Sequence, residues 1–235
     1  MTDTAPAPTI ALENPFAPLT GLCELVLVRH GEQVLTRETP VSETIDPPLS
    51  ELGERQAAAV AQRLATAHLD AIYSSPLRRA FQTGAEIGRF HGIQPVPVDD
   101  LQEINPWVGL DPTKSFHELL GRDQVREIFR EHIRTKRFDA FPYSEDRVAF
   151  RKRVNTALAG IIDAHLGQRV VVTCHSGVIN AFIAEIVQTE QDLPVRVHHT
   201  SISVFRGADV RRAVLSVNDY AHVLPLQDAV NPFNL

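Results

Sequence analysis

The segment 23–33, CELVLVRHGEQ, constrains the fold more than any other stretch of the chain. It contains an uninterrupted apolar run at 25–28, a pattern typical of a strand buried on both faces of a parallel sheet. The sequence Arg-His-Gly-Glu follows at once, at 29–32. Because ligands bind beyond the carboxyl ends of the strands in open α/β sheets, this change from apolar to charged residues predicts a functional site.

Composition excludes several classes of protein. The net charge of −6 argues against nucleic acid and against an anionic membrane surface as the general partner. No apolar run approaches the roughly 20 residues that span a bilayer, and the Pro- and Ala-rich N-terminus lacks the features of a signal peptide. Cys23 and Cys174 adjoin apolar runs and are expected to be buried, reduced thiols. These features predict a cytoplasmic protein.

Short apolar runs recur between segments with helical patterns. Strands are predicted at 25–28, 71–73, 96–98, 169–173, 201–205 and 213–217. Helices between strands favour a parallel sheet with helices on both faces. The sequence therefore predicts an α/β fold, a three-layer sandwich with a mostly parallel central sheet. It also predicts a loosely ordered lead-in at 1–22, one domain at 23–225 and a C-terminal tail at 226–235.

Local signals mark the helix ends. Ser50 follows the turn sequence Asp-Pro-Pro-Leu and is expected to cap a helix. Ser75 is expected to cap the next helix, with Pro76 at its first position, and that helix should stop near Gly92.

The segment 104–143 loses strand character. A capping box at Ser115 precedes a charged helix that is expected to run to about Lys136. A longer helix is predicted from about 145 to 166. We therefore expect 104–143 to form a helical cap over the sheet.

Charged and titratable side chains follow the ends of four predicted strands. In chain order they are Arg29 and His30, Arg79, Glu103, and His175. If one sheet aligns these ends, two guanidinium and two imidazole groups converge, which suits a phosphoryl group. Arg78 and Arg79 also lie in the first turn of a helix, where cations oppose the helix dipole and an anionic ligand would explain them. Each residue alone has an ordinary structural explanation, so the prediction depends on their equivalent positions.

Two other nucleophile motifs are rejected. Cys23 and Arg29 have the spacing of a cysteine phosphatase, but the residues between them form a strand pattern rather than a glycine-bearing phosphate loop. Ser176 would need flanking glycines to form a serine hydrolase elbow, and these positions hold Cys174 and Val178.

No metal site is predicted. His30-x-Glu32 and the adjacent pair His198-His199 lack the spacing of metal ligands, and no carboxylate cluster accompanies them.

At these residues the chain resembles the histidine phosphatase superfamily, which includes the cofactor-dependent phosphoglycerate mutases. The resemblance covers about residues 23 to 217 and is strong because several spaced motifs agree. They are LVLVRHGE from Leu25, DPPLSELGERQA from Asp46, YSSPLRRAFQT from Tyr73, LQE from Leu101 and VVVTCHSGVI from Val170. FPYSEDRVAFRKRV, from Phe141, is similar to the family's PGGES segment and retains Glu145.

The resemblance implies roles for the residues at the four strand ends, and it implies a reaction that needs no metal or cofactor. His30 would be the nucleophile that takes the phosphoryl group. Arg29, Arg79 and the catalytic His175 would bind its equatorial oxygens and stabilise the transition state. Glu103 would protonate the leaving oxygen and then activate the water that releases phosphate.

Departures from the mutases bear on the substrate. Where mutases follow the acid with Arg-His-Tyr-Gly, this chain has Ile-Asn-Pro-Trp at 104–107, and Thr36 replaces an Asn of their first loop. Both changes favour a phosphatase over a mutase. We therefore expect a metal-independent phosphomonoester hydrolase that acts on a small phosphorylated metabolite. Thr36 and Trp107 are candidate specificity residues, with core packing as the other explanation for Trp107.

Two alternatives stay open. One is a phosphoglycerate mutase primed by a bisphosphate, and the other is a protein that binds phosphate or a phosphopeptide without turnover. Glu103 argues against the second, because a pure binder has no need for an acid facing its own anion. The sequence names neither the substrate nor the oligomeric state, with a homodimer among the alternatives.

Overall fold

The structure is a computed structural model that describes residues 21–34, 39–209 and 211–226. The predicted lead-in and tail lie outside these ranges, apart from residues 21, 22 and 226, and so does Thr36. No helix in the described ranges is long and apolar enough to cross a bilayer.

One six-stranded sheet forms the centre of the described part of the chain. Its strands are β1 (Cys23–Arg29), β2 (Ala71–Ser74), β3 (Val96–Pro97), β4 (Arg169–Cys174), β5 (Ile202–Ala208) and β6 (Arg211–Asp219). Their order in space is β3-β2-β4-β1-β5-β6. The first four are parallel, whereas β5 and β6 add an antiparallel edge. The prediction of a mostly parallel sheet is confirmed.

Helices cover both faces of this sheet. The α-helices of the described ranges are α1 (Val41–Ile45), α2 (Glu51–Leu64), α3 (Arg78–Arg89), α4 (Phe116–Leu120), α5 (Arg122–Thr135), α6 (Arg147–Ala164) and α7 (Ser176–Val187). Of these, α2 and α3 pack on one face of the sheet and α6 and α7 on the other. Alternate side chains of β1 point to opposite faces. Leu25 and Leu27 pack in a cluster with side chains of α6 and α7, and Val26 and Val28 pack with those of α2 and α3. The three-layer sandwich is therefore confirmed.

The segment after Glu103 forms a helical cap, as predicted. Ser115 begins α4 with a reciprocal capping box, because its N–H donates to Glu118 Oε2 at 2.7 Å and its Oγ accepts from the Glu118 N–H at 3.4 Å. The single charged helix that the sequence predicts is divided into α4 and α5 at Gly121. Its φ of +74° takes the chain out of the helical region.

The predicted start of α3 was wrong. Ser75 does not cap the helix, which begins at Arg78, and the cap comes from a remote loop, since Asp46 Oδ1 accepts the Arg78 N–H at 2.6 Å. The Arg78 side chain also donates to the Asp46 carbonyl, with Nη2 at 2.6 Å. Arg78 is therefore explained by this loop and not by an anion. Ser75 Oγ accepts the Leu77 N–H, just before the helix, at 3.3 Å and lies 2.9 Å from Nε2 of His175.

Candidate active site

The parallel strands bring their carboxyl ends to one edge of the sheet. Arg29 is in register with Cys174, and the backbone N–H of His30 donates to the Cys174 carbonyl at 2.9 Å. On the other side of β4, the Ser75 N–H donates to the Thr173 carbonyl at 2.9 Å. This register places the residues that follow β1, β2 and β4 side by side.

His30 is buried and its protonation is set by two neighbours. Its Nδ1 lies 2.6 Å from the Gly31 carbonyl, which can only accept, so Nδ1 carries the proton. Its Nε2 lies 3.3 Å from Nε of Arg79, whose N–H donates to it. Both contacts leave the lone pair of the imidazole on Nε2, the nitrogen that faces Arg79.

The loop after β1 is held between α2 and α3. The Gly31 N–H donates to Thr83 Oγ1 at 3.1 Å, and the Glu32 carbonyl accepts the Ser50 N–H at 2.9 Å. The Glu32 carboxylate accepts from Ser50 Oγ at 2.9 Å, so Glu32 orients the residue that caps α2. A Cβ on Gly31 would lie 2.4 Å from the Gly53 carbonyl oxygen, so this close contact requires glycine.

Two guanidinium groups adjoin the nucleophile candidate. Arg79 is buried at the start of α3, and its Nη1 donates to the Ile45 carbonyl at 2.9 Å. Arg29 donates from Nη1 to the Val197 carbonyl at 2.6 Å. Burial, with a smaller contribution from Arg79, lowers the pKa of Arg29 to about 10, so it stays cationic at neutral pH.

His175 is fully buried beside His30, and the two ring centroids are 5.0 Å apart. Its Nε2 pairs with Ser75, while its Nδ1 is buried without a hydrogen-bond partner. Arg29 Nε and His199 Nε2 are likewise buried without partners. Buried polar atoms are rarely left unpaired, so three of them around His30 indicate a place for an oxyanion.

Burial lowers the pKa of His30 well below its usual range, and His175, Arg79 and Arg29 lower it further. The pKa of His175 falls for the same reasons, first burial and then the two arginines. Both imidazoles are therefore neutral at pH 7 when no anion is bound. A neutral His30 is the nucleophilic form.

Glu103 interacts electrostatically with the two arginines of the site, since burial lowers the pKa of both Arg29 and Arg79 and the charge of Glu103 opposes this effect. Its Oε2 accepts the Gly177 N–H in the first turn of α7 at 3.0 Å, and its Oε1 accepts the Ile104 N–H at 3.1 Å. Burial raises the pKa of Glu103, and this outweighs the opposing effects of the two hydrogen bonds and of Arg79 and Arg29. A raised pKa favours the protonated carboxyl, which can donate a proton.

The remaining sequence candidates lie elsewhere. Trp107 is buried in the cap, where it stacks on Phe116 with centroids 3.8 Å apart. Its role in specificity stays a prediction, as does that of Thr36. Cys23 and Cys174 are buried free thiols, as predicted, and burial raises the pKa of Cys23 to about 12, which is incompatible with a cysteine nucleophile.

The sequence interpretation missed several residues of this site. Ser75 was assigned to a helix cap, Thr83 and Gly177 had no assigned role, and His199 entered only as half of a rejected metal motif. Thr83 and Gly177 lie inside the motifs YSSPLRRAFQT and VVVTCHSGVI, so the motifs could have pointed to them. Within the described ranges no group of three or more His, Cys, Asp or Glu side chains is arranged to hold a metal ion.

Imidazole and guanidinium groups and a carboxyl group lie at the carboxyl edge of this sheet. An α/β sandwich with such a site is typical of enzymes that transfer phosphoryl groups. The chain belongs to the histidine phosphatase superfamily (branch 1), which it matches over residues 25–220. The resemblance read from the sequence is confirmed. Members of this kind are phosphatases or phosphoglycerate mutases.

Three known proteins are among the most similar. Phosphoserine phosphatase 1 of Hydrogenobacter thermophilus is 29% identical over 206 residues, 86% of this chain and 95% of that protein. Phosphoglycerate mutase-like protein 4 of Arabidopsis thaliana is 30% identical over 215 residues, 85% of this chain and 86% of that protein. The structure of Bacillus stearothermophilus YhfR superimposes with a TM-score of 0.72 and 25% identity, over 86% of this chain and 99% of that one.

Proposed function

We propose that this enzyme is a metal-independent phosphomonoester hydrolase that works through a phosphohistidine at His30. The observation that carries the proposal is the double constraint on His30, whose Nδ1–H meets the Gly31 carbonyl and whose Nε2 faces the Arg79 N–H. This arrangement places the imidazole lone pair on Nε2, the atom that attacks phosphorus once Arg79 donates to the phosphoryl oxygens instead. It needs no metal, because Arg29 and Arg79 supply the positive charge that the transferring phosphoryl group requires.

In the first step, Nε2 of His30 forms a bond to phosphorus as the ester P–O bond breaks. Protonated Glu103 gives its proton to the leaving oxygen. In the second step, the Glu103 carboxylate takes a proton from water, the water oxygen bonds to phosphorus, and the P–N bond breaks. Inorganic phosphate leaves, and both residues regain their starting protonation.

The other side chains of the site bind the phosphoryl group and control the protonation of His30. Arg29, Arg79 and His175 bind the equatorial oxygens, and an approaching dianion raises the pKa of His175, so that this residue becomes a further donor. The guanidiniums also hold His30 neutral until the anion offsets their charge. The site is thus most nucleophilic in the state that receives substrate.

We propose a small phosphorylated metabolite as the substrate and the cytoplasm as the location. Phosphoserine is the first compound to assay, because one relative is named a phosphoserine phosphatase. The relative named phosphoglycerate mutase-like keeps the bisphosphate-primed mutase as the second candidate. Assaying phosphoserine, 3-phosphoglycerate and 2-phosphoglycerate for phosphate release and for isomerisation separates the two.

The variant His30→Ala tests the proposal. With a chelator in every assay, the wild-type enzyme should hydrolyse an aryl phosphate and His30→Ala should lose activity down to the background rate. A rapid base quench of wild type with labelled substrate should trap a base-stable phosphoenzyme, which later acid treatment hydrolyses and which the variant lacks.

His68→Ala is the matched control, since the side chain of His68 is 83% exposed and bonds only Asp70. It should retain wild-type turnover. Undiminished hydrolysis by His30→Ala, or a wild-type enzyme that is inactive until a metal is added, would contradict the mechanism.

A further inference from the structure

His199 lies against the nucleophile candidate, but the mechanism above does not use it. Its ring centroid is 5.7 Å from that of His30, with the rings inclined at 48°. Its Nε2 is buried and has no hydrogen-bond partner. A histidine that only filled space here would leave an unpaired nitrogen inside the protein, which is costly.

A strained turn presents His199 to the site. The Ser201 N–H donates to the His198 carbonyl at 3.1 Å, which closes a four-residue turn over His199 and Thr200. Thr200 has a φ of +54°, a conformation that a β-branched residue rarely adopts. The turn is held against β1, because the Thr200 N–H donates to the Arg29 carbonyl at 3.0 Å. Strain of this kind is concentrated at functional sites, where the surrounding structure maintains it.

The two adjacent histidines of this turn have opposite surroundings. His198 stacks on Tyr220 with centroids 4.1 Å apart, and its Nδ1 lies 3.0 Å from Nδ2 of Asn218. His198 is therefore a packed residue with a polar partner. His199 faces His30 and has no partner for Nε2.

The charges around His199 favour an anion. Arg29, His198 and Arg79 act on it, and together with burial, which has the larger effect, they lower its pKa well below the usual range. His30 is the other titratable group in contact with the ring. No carboxylate is among the described groups that act on its charge. An incoming phosphoryl dianion would reverse this balance and favour the imidazolium.

We propose that His199 is a further phosphoryl-binding residue, whose Nε2 donates to an oxygen of the bound phosphoryl group beside Arg29. The proposal rests on the proposed function only in taking the ligand of this site to be a phosphoryl group. Arg29 Nε and His199 Nε2 are both buried without partners, so the oxygens of the anion can satisfy the two. His199 thereby adds a third imidazole to the two that the sequence predicts, and it takes up a proton when the anion binds.

Titration calorimetry of inorganic phosphate tests this proposal without turnover. His199→Phe retains a ring and removes the donor, so phosphate binding should weaken by about tenfold or more, as for loss of a hydrogen bond to a charged group. His198→Gln is the matched control from the same turn and should bind phosphate within about twofold of wild type. Equal affinity of His199→Phe and wild type would overturn the proposal.

Proton uptake gives a second readout that a structural role would not move. Phosphate titrations at pH 7 in two buffers of different ionisation enthalpy give the number of protons bound with the anion. His199→Gln, which keeps a donor but cannot be protonated, should take up fewer protons than wild type, whereas His198→Gln should not differ. Unchanged uptake in His199→Gln would also overturn the proposal, even if the Phe variant does not fold. Because neither measurement uses catalysis, the result is separate from the outcome for His30→Ala.

Discussion

Gly177 is the residue on which the position of the acid depends. Its N–H holds Glu103 Oε2, and a Cβ at this position would lie 2.1 Å from Glu103 Oε1 and 3.1 Å from Phe138 Cζ. The nearest atom is the end of a flexible side chain, so a methyl group can displace the carboxylate without moving the backbone. Glycine is therefore needed here for the chemistry more than for the fold.

We predict that Gly177→Ala lowers turnover most for substrates with poor leaving groups. A displaced Glu103 no longer protonates the leaving oxygen, and a positioned general acid contributes about 100-fold or more. Phosphoserine, with an alkoxide leaving group, should lose about that factor, and p-nitrophenyl phosphate much less. The measurement is kcat across a series of esters whose leaving groups differ in pKa.

Glu103→Gln provides the comparison for this series. It removes the proton and keeps the shape of the side chain, while its amide oxygen can accept only one of the Gly177 and Ile104 N–H groups. The loss of the proton should give the same dependence on the leaving group. Equal losses for all esters in both variants would mean that Glu103 is not the acid, and a large fall in thermal stability of Gly177→Ala would mean that the glycine is structural.

Single residues differ in how far their roles could be predicted. His30, Arg79 and His175 follow strand ends, and parallel strands align their ends, so the sequence pattern suffices to bring them together. His199 belongs to a turn whose direction depends on the positive φ of Thr200. Thr is not a residue that signals such a conformation, so the sequence offers no local sign of it.

At the scale of elements, the first turn of α2 supports the loop that carries His30. A Cβ on Gly53 would lie 2.0 Å from the Glu32 carbonyl oxygen and 2.9 Å from its carbon. Both are backbone atoms, so the helix and the loop could not keep their present separation. This contact complements the hydrogen bond between the Ser50 N–H and the same carbonyl.

We predict that Gly53→Ala destabilises the protein by about 1–3 kcal/mol, the range for overpacking, and reduces hydrolysis by moving His30. Gly160→Ala is the matched control, because Gly160 lies within α6 and a Cβ there would meet nothing within 4 Å. It should raise stability by about 0.5–1 kcal/mol, as alanine does in a helix interior. Urea unfolding measures both, and wild-type stability of Gly53→Ala would show that the loop adjusts freely.

The start of a helix could be predicted from the sequence where the capping residue is adjacent to it. The prediction failed where the capping residue is far away in the chain. Ser50 caps α2 through its own side chain, which accepts the Gly53 N–H at 3.0 Å. The start of α3 depends instead on Asp46, a residue 32 positions earlier. Ser75 contacts His175 where the neighbouring strands β2 and β4 end, and sequence alone cannot weigh that contact against a helix cap.

At the scale of the whole molecule, one buried carboxylate joins the cap to the sandwich. Asp192 has no exposed surface, and it accepts the Phe138 N–H of the cap at 3.0 Å. It also accepts from Arg147 at the start of α6, with Nη2 at 2.8 Å and Nε at 2.9 Å. The capping box at Ser115 predicts a helix in the cap. The end of the cap is held by this long-range contact and by the Asp192 and Leu193 N–H groups, which donate to the Lys136 carbonyl at 3.2 Å.

This attachment reaches the active site through Phe138, whose ring is the other near neighbour of Gly177. We predict that Asp192→Asn destabilises the protein by about 3 kcal/mol, because Arg147 is left partly buried without its counter-charge. It should also lower kcat/KM, since a displaced Phe138 disturbs the contacts of Gly177 and Glu103. Urea unfolding and steady-state hydrolysis measure the two effects.

Asp139→Asn is the control for this prediction, because Asp139 lies in the same segment but pairs with the half-exposed Arg137. Solvent screens such a pair, so its loss should change little. Hydrogen exchange in α4 and α5 should then rise in Asp192→Asn and not in Asp139→Asn. If the amides of both helices kept wild-type protection in Asp192→Asn, the cap would be held mainly by its own aromatic cluster around Trp107, and the buried carboxylate would stabilise only α6.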